Sequence, residues 1–129
     1  MIRDVSDLEV YQESLKLLPE LYSLVERLPR SEIDLVIQCK RAAKSIPANI
    51  AEGFAKRVFV KEFKRFLKIA IASSDEVITH LRIVSIVKPD LIEAKILGEK
   101  YKVLSKRINA LSTKWQSGGI FRNSDSLKV

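Results

Sequence analysis

Residues 38–53 read QCKRAAKSIPANIAEG, and the fold follows from how this stretch is packed. Cys39, Ala43, Ile46 and Ile50 recur at spacings of four, three and four, which aligns them down one side of a helix as a core seam. Ala42, Ala43, Ser45, Ala48 and Ala51 are small, so a second helix can come close before side chains collide. Pro47 lies inside the pattern. It removes one helical hydrogen bond and pushes back the carbonyl of Ala43, which predicts a bend or a freed acceptor. Gly53 reads as the stop.

On the N-terminal side, Leu8, Tyr11, Leu15, Leu18, Tyr22, Val25 and Leu28 alternate at three and four, predicting a helix opened by a Ser6–Glu9 capping box. Pro19 falls within that line, which continues on both sides of it, so one kinked helix is expected. Ser31 with Asp34 reads as the next start, giving a helix over about 32–55. With so short a connection it must be an antiparallel neighbour. Val60, Phe63, Leu67, Ala70, Ser74, Val77, Leu81 and Val84 trace a third seam, widened by Phe66, Ile71 and Ile78 and ended by Lys88 and Pro89. Asp90 and Glu93 look like a further start, followed by Ala94, Leu97, Tyr101, Leu104, Ile108, Leu111 and Trp115. The expected fold is all-α: an antiparallel up-down-up-down four-helix bundle over residues 1–115, with a mobile, disordered C-terminal tail over 116–129.

Three strings carry a family resemblance. RAAKSIPANIAEG at 41–53, with EFKRFLKIA at 62–70 and VYQES at 10–14, closely resembles the bacterial four helix bundle protein family, whose founding members are encoded by intervening sequences inside large-subunit ribosomal RNA genes. The resemblance spans about residues 8–111. It implies a homopentameric ring and, through related bundles that serve diversity-generating retroelements, an alternative role engaging a reverse transcriptase and its template RNA. This chain departs from the family pattern at Val58, Phe59 and Val60, where small polar residues are usual, and at Ala72, where glycine is common.

Composition narrows the function classes. The chain has 129 residues, 23 Lys plus Arg against 16 Asp plus Glu, a net charge of +7, and only four glycines, which describes one basic helical domain. A single cysteine makes no internal bridge and suits a reducing cytoplasm. The N-terminus, MIRDVSDLEVYQ, breaks its apolar residues with acids, so neither a signal peptide nor a membrane contact is expected.

In the expected topology the N-terminus, the loop between the second and third helices, and the C-terminus share one pole. Lys56, Arg57, Lys61, Lys64, Arg65 and Lys68 gather there against the single acid Glu62. Lys100, Lys102, Lys106, Arg107 and Lys114 run down the fourth helix toward them, joined by Arg3, Arg122 and Lys128. The opposite end carries Glu20, Glu26, Glu32, Asp34, Asp75, Glu76, Asp90 and Glu93, diluted by Arg27, Arg30, Arg82, Lys88 and Lys95. Two readings of the basic pole stay open. It is the wetted face of an amphipathic helix, or it is a nucleic-acid site in which Lys56, Arg57, Lys61, Lys64, Arg65, Lys68, Lys106, Arg107 and Lys114 grip phosphates without reading bases, RNA being the expected partner. Cations in the first turns of a helix oppose its dipole, which favours the second. For Phe59, covering the bundle end is preferred to stacking on an unpaired base.

Catalysis finds little support. Cys39 sits on the core seam as a small hydrophobe, and His80, the one histidine, is placed to pair with Glu76 one turn away. No Glu-x-x-His pair or glycine-rich phosphate loop occurs, so no catalytic residue, metal or cofactor is expected. Asn49 and Glu52 read as structural, Asn49 satisfying backbone freed by Pro47 and Glu52 pairing with Lys56. Ala42, Ala43, Pro47, Asn49, Glu52 and Gly53 together form a close-packing face suited to contacts within and between subunits.

Overall fold

A computed structural model describes residues 2–115 of the chain. The expected tail at 116–129 lies outside them. Four helices follow one another: α1 (Glu9–Val25), α2 (Ile33–Ala55), α3 (Val60–Val87) and α4 (Glu93–Lys114), with 3-10 turns at Val5–Asp7 and Arg30–Glu32 and no strand among the described residues. Contacts between sequential helices, and from α4 back to α1, close an antiparallel four-helix bundle.

Polar contacts show which elements lie side by side. Ser45 Oγ lies 2.8 Å from Ser73 Oγ between α2 and α3, and Ser74 Oγ donates to the Tyr101 carbonyl at 3.0 Å between α3 and α4. Lys100 reaches Glu20 at 2.6 Å and Arg107 reaches Glu9 at 2.5 Å, tying α4 to α1. At one pole Phe54, Phe63 and Trp115 meet edge to face, Phe63 and Trp115 with centroids 4.7 Å apart. The end of α2, the start of α3 and the end of α4 therefore converge there. At the other pole Arg27, just past α1, pairs with Glu93 at the start of α4 at 2.5 Å.

The seams of α2, α3 and α4 follow their spacing. Cys39, Ala43, Ile46 and Ile50 are fully buried, and so is the whole α4 line from Ala94 to Trp115. In α3, the line from Phe63 to Val84 is buried, with only Val60 partly exposed at the first turn.

In α1 the expected seam holds only at its ends, where Leu8, Val25 and Leu28 are buried. Between them Leu15 is 42% exposed, Tyr11, Leu18 and Tyr22 are half-buried, and the buried line is Val10, Ser14, Leu17, Leu21 and Leu24, one residue out of phase. Two heptad-like lines run side by side in this helix. The true one contains a polar residue, Ser14, whose hydroxyl is satisfied by the Tyr11 carbonyl at 2.7 Å.

Helix starts also differ from expectation. Asp4, not Ser6, caps the first turn: its carboxylate accepts from the Ser6 N–H, and Asp7 accepts from the Asp4 N–H at 3.0 Å. Neither the Ser31–Asp34 pair nor the Asp90–Glu93 pair caps a helix. A 3-10 turn led by Pro29 enters α2, while Asp90 is drawn to Lys88 and Glu93 to Arg27. Both internal prolines are accommodated in continuous helices. Asn49 donates to the Ser45 carbonyl at 2.8 Å rather than to Ala43, two residues further back.

Gly53 is not the stop, since α2 runs two residues beyond it. A Cβ there would lie 2.6 Å from the Phe66 Cβ and 3.1 Å from a Phe63 ring carbon, so the missing side chain is the space into which α3 packs. The turn after α2 closes instead through the Lys56 N–H to the Gly53 carbonyl and the Arg57 N–H to the Phe54 carbonyl.

Candidate nucleic-acid interface

The basic pole is assembled from three segments. The turn before α1 brings Asp4 near enough to Arg57 for the guanidinium to help lower the aspartate pKa, behind the larger effect of its bonds from Ser6. The α2–α3 turn, residues 56–59, and the first turns of α3 supply most of the cations, and α4 ends beside them through Trp115.

The nine cations singled out from sequence are not equivalent. Lys56 lies 3.9 Å from Glu52 and over the Phe66 ring at 4.7 Å. Arg65 pairs with Glu62 at 3.1 Å and also lies over the Phe66 ring, at 4.4 Å, and its bond to Glu62 holds that carboxyl below its ordinary range. Arg57 donates to the Phe54 carbonyl at 3.1 Å with its guanidinium 4.1 Å from the Phe54 ring, so it helps to seal the core. Arg107 is committed to Glu9 and clamps α4 to α1.

Lys61, Lys64, Lys68, Lys106 and Lys114 have no carboxylate within 4.0 Å among the described residues. Lys61, Lys64 and Lys68 recur at three and four on the side of α3 away from its buried line. No side chain caps the start of α3: its N-cap is Phe59, which has no acceptor to offer, and the first turn carries Lys61 beside a single acid, Glu62.

Other cations lie along the girth, and the sequence pattern assigns them no role. Arg41 and Lys44 on the exposed side of α2, with Lys16 on α1, also lack a carboxylate partner among the described residues. Their signal is the same charge count. What marks the pole is density, six cations with one acid over residues 56–68.

The close-packing face is used within the chain: Ala42, Ala43 and Pro47 are buried along with Gly53, whereas Asn49 is half-buried and Glu52 exposed. Phe59 does not cover the bundle end. It is 68% exposed, and Phe54, Phe63 and Trp115 close the core without it.

Cys39 and His80 are both buried. Burial raises the Cys39 thiol pKa to about 11. His80 Nε2 lies 3.2 Å from Glu76 in a largely buried position. Among the described residues no three His, Cys, Asp or Glu side chains cluster to hold a metal ion, and no helix is long and apolar enough to cross a membrane.

No curated protein matches the chain. A family model does, over residues 6–114, covering all four helices. With the bundle and its interhelical contacts in place, that match shows the chain to belong to the 23S rRNA-intervening sequence protein family.

Proposed function

We propose that this protein is a non-enzymatic, self-assembling scaffold of the cytoplasm that binds RNA, or another nucleic acid, through phosphate contacts at one pole. The observation that carries this reading is the row Lys61, Lys64 and Lys68, which leaves three ammonium groups without carboxylates beside an uncapped helix start. Only Lys61 stands in the first turn, where a cation opposes the helix dipole; Lys64 and Lys68 continue its row without a carboxylate, and a bound polyanion supplies the partner all three lack. Each phosphate neutralised also releases counterions. Arg65 and Lys56 stiffen the pole by lying on Phe66, while Lys106 and Lys114 extend the positive surface along α4.

Self-assembly is supported by apolar area left uncovered near the opposite pole, where Ile33, Ile86, Ile92 and Ile96 are all more than half exposed. Several basic poles held in one assembly raise a weak phosphate affinity through effective concentration. Light scattering tests this part: a monomer at micromolar concentration removes it.

Filter binding with a structured RNA tests the rest. The wild type is expected to bind at low salt and to weaken steeply as salt rises. Lys61→Glu/Lys64→Glu/Lys68→Glu is expected to cut affinity and to flatten the salt slope by about 2 to 3, near one unit for each phosphate no longer neutralised. Absence of binding at low salt, or binding untouched by the triple change, refutes the reading.

A further inference from the structure

We infer that the ligand of this pole is RNA with unpaired bases, Phe59 stacking on one base while Lys61, Lys64 and Lys68 hold neighbouring phosphates; the inference rests on the phosphate-binding reading above. Phe59 is 68% exposed and Val58 beside it 69%. An aromatic ring at the end of a bundle normally closes the core. Here Phe54, Phe63 and Trp115 already do so in a mutual edge-to-face cluster, and Phe59 takes no part in it.

Two of the other rings at this pole have cations against them, Arg57 on Phe54 and Lys56 and Arg65 on Phe66. Phe63, like those two, is buried, so Phe59 is the exposed phenylalanine among the described residues.

Its backbone is held in place. The Phe59 N–H donates to the Lys56 carbonyl at 2.9 Å, and the Phe59 carbonyl accepts from the Phe63 N–H at 3.1 Å, making it the residue from which α3 springs. An exposed ring on an anchored backbone, at the head of a row of ammonium groups without carboxylate partners, is the arrangement that binds single strands: lysines track the backbone and the ring meets any base face offered to it. A perfect duplex keeps its base faces stacked inside and gives the ring nothing.

An anionic membrane surface is the other partner that basic and apolar side chains together attract. Interfacial helices need a continuous apolar face, whereas the solvent side of α3 at this pole carries Lys61, Lys64, Arg65 and Lys68, with Glu62 in its first turn. The charge pattern therefore favours RNA.

The test uses fluorescence anisotropy on the full chain with a labelled oligouridine, a labelled perfect RNA duplex of equal length, and vesicles containing phosphatidylglycerol. Phe59→Ala, Phe59→Trp and the Lys61→Gln/Lys64→Gln/Lys68→Gln variant are compared with the wild type, and circular dichroism verifies that each remains helical. The inference expects a preference for the single strand. Phe59→Ala should weaken oligouridine binding about 5- to 150-fold, the range that stacking of one base on an aromatic ring supports, with duplex binding and the salt slope unchanged. Phe59→Trp should retain the preference, and the lysine variant should weaken both RNAs and flatten both salt slopes. If Phe59→Ala changes neither RNA, or weakens both alike, the stacking role is overturned while phosphate binding stands. Tighter binding to vesicles than to either RNA, lost in Phe59→Ala, overturns it in favour of a membrane. No binding of either RNA at low salt defeats the phosphate reading and this inference together.

Discussion

Replacing Gly53 by alanine sets two effects against each other inside α2. An alanine in a helix interior is better than glycine by about 1 kcal/mol, because glycine loses more backbone freedom on folding. At Gly53 the added carbon would sit 2.6 Å from the Phe66 Cβ and 3.1 Å from a Phe63 ring carbon. The Phe66 Cβ is tied directly to the α3 backbone, so a rotamer change does not relieve the clash and the helices must separate. Overpacking costs about 1 to 3 kcal/mol, and a clash against an atom fixed to the backbone falls in the upper part, about 2 to 3, which leaves Gly53→Ala destabilised by about 1 to 2 kcal/mol after the helix gain. Gly98 in α4 is the internal control, since nothing lies within 4 Å of a Cβ built there. Gly98→Ala should keep its helix gain and be stabilised by up to about 1 kcal/mol. Thermal unfolding of both variants by circular dichroism reads the difference, with Gly53→Ala melting about 4 to 8 °C lower and Gly98→Ala a few degrees higher. Equal shifts in the two variants, or a Gly53→Ala protein as stable as wild type, would refute the claim that this glycine exists to admit α3.

Further outcomes follow from the charges and from the buried thiol. Bonds from Ser6 to Asp4, from the Arg3 and Asp4 amides to Asp7, and from Lys88 to Asp90 lower these carboxyls from the ordinary 3.8, and Arg65 and Arg27 lower Glu62 and Glu93 from 4.5. A carboxyl depressed in the folded state contributes stability above its unfolded pKa and loses it as pH falls through the folded one, so the melting temperature should be flat above about pH 5 and fall from there down. A melting temperature that rises on acidification through pH 4 contradicts these pairings. Cys39, fully buried with its thiol raised to about 11, should react with a thiol reagent at pH 8 only on unfolding, and rapid labelling of the native protein would show the seam to be open. In RNA binding, Arg65→Gln should cost less than Lys64→Gln, because Glu62 already engages Arg65, and the reverse order in filter binding would place the phosphates on the Phe66 side of α3.

Much of the fold was legible in the residues because α2, α3 and α4 each present one dominant apolar line. From Ala94 to Trp115 no rival line exists in α4, and every member is buried. In α1, Leu17 and Leu18, Leu21 and Tyr22, and Leu24 and Val25 offer two parallel lines, and counting apolar residues selects the one that lacks Ser14. Only the neighbours of α1 decide which faces inward. The caps failed for a related reason: a serine or aspartate before a helix has several local partners, and Asp90 and Glu93 took Lys88 and Arg27, the second of them brought close only by the fold.

The chain by itself determined four helices, their short connections, their bundle topology and the crowding of positive charge into residues 56–68, since periodicity, prolines and charge are local properties. Tertiary structure alone decided what those local properties are for. It turned Gly53 from a terminator into a space for Phe66, sealed the core with Phe54, Phe63 and Trp115 so that Phe59 was left in solvent, and divided the cations into those held by Glu52, Glu62, Glu9 or an aromatic ring and those with no such partner. The physical reason is that a side chain's partner depends on distances between helices, and spacing along one helix does not contain them.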